Sequence, residues 1–247
     1  MNNKAFLYID ILGFSELVKN NSPLIRKIFN TIDSLHVHRD IKFRAIIFSD
    51  TVLIFSDDRD SDPIHILITY LVEYAQLLFY RLNYYRVYFR AILTIGEFNC
   101  IEFANFIGFY GMALINSYNA ESTLRGFGLY VDKSISNEVF IFDKINYDEK
   151  YDYVILCQSM YSLYKDCLGI LPVNNNLLTE TDTYSNLKEE LRFFQDIYDS
   201  MNTIDDKRIQ MKYHEVYKLY KSYMPTFFEK FEELGFTMST ICPCILI

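Results

Sequence analysis

The sequence predicts an α+β chain: a ferredoxin-like βαββαβ core over residues 1–145, then a mainly helical extension over 146–247 packed on the core or on a dimer partner. Three observations carry this. Apolar runs too uniform for surface strands alternate with segments of helical spacing. One strand pair is joined by a tight turn at Ser49–Asp50, whereas the other links are helices. Past residue 140 the apolar spacing becomes mostly helical.

The elements follow in order. Residues 4–12 form an apolar strand ended by Gly13. Leu17, Leu24, Ile25, Ile28, Phe29 and Ile32 lie near helical spacing across 14–35, with a break expected at Asn20–Pro23. "IKFRAIIFSDTVLIFSDD" gives two strands meeting at Ser49–Asp50. Asp62 caps a second helix, Pro63 suits its first turn, and it runs to about Leu82. "RVYFRAILTIGEFNCI" reads as one long strand, "GMALINSYNAESTLR" as a helix, and "GLYVDKSI" as a further strand. The first strand and the hairpin are expected together at the sheet centre, with crossovers right-handed. In the extension, Leu187, Leu191, Phe194, Ile197 and Met201 share one helical face, as do Ile209, Tyr213, Val216 and Tyr220; Pro225 starts a last helix that Gly235 stops.

Composition excludes several functions. Hydrophobic residues are 51% of the 247, enough for a real core, and the net charge is −8. A duplex nucleic-acid binder needs a basic stripe, so no nucleic-acid partner is expected. No run of about 18 apolar residues occurs, so no membrane span is expected, nor does the N-terminus read as a signal peptide. The five cysteines are odd in number and scattered, which fits a reducing cytoplasm. The four histidines lack zinc spacing, and His36-x-His38 reads as a solvated connection. "CILI" formally matches a prenylation box but has no polybasic segment before it, so it reads as a packing tail.

Asp10 is the candidate centre. It interrupts the apolar run "AFLYIDILGF", and a lone carboxylate there is costly. Asp50, 40 positions later at the hairpin tip, falls on the neighbouring strand. Two facing carboxylates repel. A hard divalent cation relieves both penalties, and oxygen ligands suit Mg2+ or Mn2+. The turn Leu12–Gly13–Phe14–Ser15 then opens a helix whose N–H groups suit a phosphate. Metal and phosphate together imply a nucleoside triphosphate. The bland alternative is a turn-forming Asp10 and an ordinary hairpin Asp50.

"YIDILGFSEL" and "FSDTVLIF" resemble the two metal motifs of class III nucleotidyl cyclases; "RAILTIGEF" and "GMALINSYNAES" resemble that family's following strand and helix. The match spans residues 4–140 and is nearest in flavour to the pyrimidine (uridylate/cytidylate) cyclases of bacterial Pycsar anti-phage systems. The resemblance implies a cyclase palm domain. Asp10 and Asp50, helped by the Ile11 carbonyl, would hold two divalent ions, Mn2+ or Mg2+. Leu12, Gly13, Phe14 and Ser15 would hold the triphosphate. The ribose 3′-oxygen would attack the α-phosphorus, expelling pyrophosphate. A head-to-tail homodimer would build composite sites and signal to a separate cyclic-nucleotide-binding effector.

The departures are informative. Ile46 stands where purine cyclases have a lysine, and Gly108 where they have an acidic or small polar residue. Arg44, Ile46 and Tyr118 are the expected nucleotide-binding positions, with Phe43, Phe48 and Tyr110 narrowing the pocket to a pyrimidine, UTP favoured and CTP next. Ile115 and Asn119 stand where the family has its Asn and Arg, so Arg90 is the expected transition-state cation, with a structural salt bridge as its alternative role. Tyr118 and Glu121 share a helix face. The competing function is a degenerate cyclase-like domain that binds nucleotide and dimerises without turnover.

Overall fold

A computed structural model describes residues 3–35, 43–56, 62–179 and 184–243. His36–His38, residues 180–183 ahead of the helix that begins at Leu187, and the "CILI" tail lie outside the described residues. The chain forms two units, Met1–Val154 and Ile155–Ile247.

In the first unit the order is β1 (Asn3–Ile11), α1 (Phe14–Asn20), α2 (Ser22–Ser34), β2 (Phe43–Phe48), β3 (Thr51–Ser56), α3 (Ile64–Asn83) and β4 (Phe89–Glu97). Then follow β5 (Asn99–Glu102), β6 (Ile107–Tyr110), α4 (Met112–Thr123), β7 (Gly128–Asp132), β8 (Lys144–Asn146) and β9 (Tyr151–Val154). The main sheet runs β2-β3-β1-β4-β7-β9-β8. Its β4-β1-β3-β2 part is the ferredoxin-like arrangement, as the sequence predicts. β1 is central, but β2 lies at the sheet edge, because only β3 pairs with β1.

The two faces of the sheet differ sharply in chemistry. Ala5, Leu7, Ile9, Ile11, Val52, Ile54, Ala91, Leu93, Leu129 and Val131 alternate along four strands, are buried, and give a mainly aliphatic face. Helix α3, whose Leu67, Ile68, Leu71, Ala75 and Leu78 are buried, packs on β1, β4 and β7. The other face carries Phe6, Tyr8, Asp10, Thr51, Phe55 and Arg90, and receives α4: a Cβ on Gly96 of β4 would lie 3.3 Å from that of Ala113.

Three elements depart from the sequence reading. The run expected as one strand breaks at Phe98, which is buried with its ring 4.8 Å from Phe6 and 4.6 Å from Phe55; anchoring that ring turns the chain into the separate β5-β6 hairpin. Helix α3 starts after Pro63, whose carbonyl accepts from Ile66 and Leu67, so Asp62 is not its N-cap. The β8-β9 pair extends the sheet where no strand was expected. The expected break between α1 and α2 falls at Asn21.

Gly111 opens α4 at φ 151, and a Cβ there would sit 2.1 Å from the Glu97 carbonyl oxygen. No side chain fits that approach without moving backbone. Gly111→Ala is expected to destabilise the unit by about 3 kcal/mol, read by chemical denaturation.

The second unit contains α5 (Gln158–Asp166), α6 (Asn175–Thr179), α7 (Leu187–Thr203), α8 (Lys207–Tyr223), α9 (Pro225–Leu234) and α10 (Met238–Ile241). Helices α7 and α8 pack as the expected hairpin, α8 capped by the Asp206 carboxylate on the Arg208 and Ile209 N–H groups. Phe193, Phe194, Tyr220, Phe228 and Phe231 form an aromatic core with Phe194 4.9 Å from Phe228. Ile209, expected on the buried stripe, is exposed because it lies in the first turn of α8. Gly235 ends α9 at φ 93, as predicted for its stop.

Candidate active site

The strand register lays the site out in rows. Phe48, Thr51, Asp10, Arg90 and Gly128 lie side by side across β2, β3, β1, β4 and β7. The next row holds Ile46, Leu53, Tyr8, Ile92 and Tyr130, and the row after it Arg44, Phe55, Phe6 and Thr94. Asp10 is thus beside Thr51, and Asp50 immediately precedes it in the hairpin turn. The Ile11 N–H donates to the Asp50 carbonyl at 2.9 Å, tying that turn to the end of β1. Ser49, at φ 58, takes the left-handed conformation that lets so tight a turn close.

Asp10 and Asp50 are both half-buried. Burial raises the pKa of Tyr8, two residues before Asp10 on the same face; a hydrogen bond with Thr51 opposes the rise, and the charges of Asp10, Glu121 and Asp50 add to it. The phenol therefore stays protonated at neutral pH, among three carboxylates. Tyr8 and Thr51 escaped the sequence reading, although strand period two from Asp10 points to the first and adjacency to Asp50 to the second.

Two half-buried carboxylates on one sheet end are a hard-oxygen donor set that fits Mg2+ or Mn2+, which characteristically take one or two carboxylates plus substrate phosphates. Among the described residues no group of three or more His, Cys, Asp or Glu side chains is placed to hold a metal.

The remaining expected residues divide. Ile11 is buried in register with Phe89. The Leu12 N–H donates to the Tyr88 carbonyl at 2.9 Å. Gly13 takes φ 72 with open space around a Cβ, and its carbonyl accepts from Glu16 and Leu17 as α1 begins; Phe14 is buried and Ser15 exposed. Arg44 lies two rows from Asp10, about 13 Å along the strand direction, and pairs with Glu102 at 3.4 Å. Ile46 lies one row away on edge strand β2, and Tyr118 is 64% exposed on α4. The protomer thus brings the backbones of Asp10, Ile11, Asp50 and the Leu12–Ser15 turn to one sheet end, with Ile46 and Arg44 one and two rows away on edge strand β2.

Arg90, expected as the transition-state cation, is buried. Its Nη1 donates to Glu121 Oε1 at 2.5 Å and to the Glu121 carbonyl at 2.7 Å, and its Nε donates to the Gly126 carbonyl at 2.9 Å. Its charge is already matched by a carboxylate of its own chain, so the ion-pair role holds in this geometry.

No protein-family model matches the chain, and no curated protein matches it. Solved structures do. The adenylyl cyclase CyaB from P. aeruginosa is 11% identical over 62% of this chain and 93% of its own, with TM-score 0.46. The guanylate cyclase domain of RhGC from Catenaria anguillulae, in complex with GTP, is 11% identical over 62% of this chain and 96% of its own, with TM-score 0.46. The guanylyl cyclase domain of the RhoGC fusion protein from Blastocladiella emersonii is 13% identical over 63% and 97%, with TM-score 0.45. No described helix is long and apolar enough to cross a membrane.

Proposed function

We propose that the protein is a nucleotide cyclase that converts a pyrimidine nucleoside triphosphate, UTP before CTP, to its 3′,5′-cyclic monophosphate and pyrophosphate. What supports this reading is the Asp10–Thr51 register together with the hydrogen bond from the Ile11 N–H to the Asp50 carbonyl, which put the two residues' backbones at one sheet end. Asp10 and Asp50 hold the cations, with the Ile11 carbonyl beside them. When bound, two divalent ions supply the charge that acidifies the attacking 3′-hydroxyl and steadies the leaving phosphates. The chain's own task is to hold the triphosphate at the Leu12–Ser15 turn with the ribose oxygen in line.

A second copy completes the site in this reading. Arg44 lies two rows from Asp10 and pairs with Glu102, and Phe48 (80% exposed), Tyr110 (53%), Ile115 (51%) and Tyr118 (64%) leave apolar surface open on β2, β6 and α4. A head-to-tail homodimer covers that surface and brings the base-reading residues of one copy to the carboxylates of the other. Ile46, with no charge, removes one route to purine selection. The product is a cytoplasmic messenger in anti-phage defence, read by a separate effector with a cyclic-nucleotide pocket.

One observation favours a second reading. Ile115 and Asn119 replace the expected Asn and Arg, and Arg90 is engaged by Glu121, as suits a domain that binds nucleotide without turnover. Incubation with ATP, GTP, CTP and UTP in turn, each with Mn2+, decides. Cyclic UMP or cyclic CMP as main product supports the cyclase; cyclic AMP as main product removes the pyrimidine assignment; tight binding without cyclic product establishes the sensor.

A further inference from the structure

The connection from α4 to β7 is braced by three side chains, and its one exposed cation, the Arg125 guanidinium, has no partner among the described residues. The Arg125 N–H donates to the Tyr147 hydroxyl at 3.3 Å, the Gly126 carbonyl accepts from Arg90 Nε at 2.9 Å, and the Phe127 carbonyl accepts from the Tyr153 hydroxyl at 3.2 Å. Three successive residues are thus held by three long side chains from β4, β9 and the β8–β9 loop. Arg90 also grips the last turn of α4 through both the carbonyl and the carboxylate of Glu121. Gly128 closes the connection at φ 115, where a Cβ would lie 2.4 Å from the Tyr153 hydroxyl oxygen.

The braced segment abuts the candidate site. The Phe127 ring stacks on Tyr88, centroids 4.9 Å apart and planes at 18°, and the Tyr88 carbonyl takes the Leu12 N–H of the turn that follows Asp10. In register, Gly128 faces Arg90 and Arg90 faces Asp10. Two strand spacings put Gly128 about 10 Å from Asp10, and Arg125 is three residues earlier. Leu124, Gly126 and Phe127 are buried, whereas Arg125 is exposed, and its guanidinium has no partner among the described residues. A cation carried on a fixed backbone at the same sheet end as two carboxylates loses little freedom on meeting a polyanion.

We propose that Arg125 is the cation that meets the phosphates of the nucleotide held at Asp10 and Asp50, and that Arg90 is the positioning residue that fixes the connection carrying it. This rests on the nucleotide-site reading above and deepens it.

The test is turnover of UTP and CTP with Mn2+ by Arg125→Gln, Arg125→Lys and Arg90→Lys in the full chain. Arg125→Gln, an exposed change that keeps the thermal midpoint, is expected to lower kcat/KM about 100-fold, with Arg125→Lys intermediate. Arg90→Lys is expected to lower kcat/KM in the wild-type background but to add little to Arg125→Gln, because it acts through the same residue. Arg125→Gln turning over within twofold of wild type overturns the inference, as does full additivity of the two changes. If the wild-type protein forms no cyclic product, the cyclase reading fails by itself, and equilibrium binding of Mn2+–UTP and Mn2+–CTP carries the test. Tenfold weaker binding by Arg125→Gln then supports the inference; equal binding, or no binding by either protein, overturns it.

Discussion

Asp50→Asn is expected to abolish cyclic-nucleotide formation, by about 1,000-fold or more in kcat, while leaving the fold intact. The carboxylate is half-buried at a hairpin tip, and the turn is tied to β1 through the Asp50 backbone carbonyl, which asparagine retains. The structural penalty is therefore small. The functional penalty is large, because a neutral amide loses the charge and the ligand strength that hold a hard divalent ion. A 1,000-fold loss corresponds to about 4 kcal/mol of transition-state stabilisation. Asp10→Asn is expected to match it, and the double variant to be little worse than either, as follows if both residues serve the proposed cation site. Product formation by chromatography, with thermal unfolding as control, checks this. Retention of a tenth of the activity by either variant contradicts the assignment.

A large expected effect on stability lies in the second unit. Glu190 of α7 is fully buried, and its two oxygens accept the Ser159 N–H at 3.1 Å and the Met160 N–H at 2.6 Å. These are orphan donors of the first turn of α5, so a charge inside the core is matched by helix N–H groups and their dipole. Glu190→Ala leaves two buried donors without an acceptor and is expected to cost about 3 kcal/mol. Glu190→Gln keeps one acceptor and costs less. Cys157, at the N-terminal boundary of α5, reports the same event. Burial raises its thiol pKa well above the ordinary value, and the Glu190 charge adds to that, so the native thiol is inert. In Glu190→Ala it is expected to alkylate at least tenfold faster, as α5 opens locally. An unchanged rate and an unchanged denaturation midpoint contradict the capping role.

The particular residues explain what could be read beforehand. Strand β1 was legible because its apolar run is continuous, and Asp10 because it interrupts that run. The hairpin was legible because two apolar segments leave room only for a turn at Ser49–Asp50. Helices α7 and α8 announced themselves by spacing. The break at Phe98 was not legible, because its cause is a tertiary aromatic cluster with Phe6 and Phe55, far away in sequence. The same holds for the Arg90 ion pair: nothing local says whether an arginine on a buried strand will meet a substrate or the end of its own helix α4. The Glu190 cap was hidden likewise, since donor and acceptor are 30 or more positions apart. The Asp62 cap failed for a local reason, as Pro63 itself takes the boundary position.

The central claim is that Asp10 and Asp50 share bound cations at the end of β1. Anomalous scattering at the manganese edge, from crystals grown with Mn2+ and a non-hydrolysable UTP analogue, tests it directly. A peak within coordination distance of both carboxylates, with phosphate oxygens on its far side, is the expected result. No peak there, or a Mn2+–nucleotide complex bound elsewhere on the chain, contradicts it.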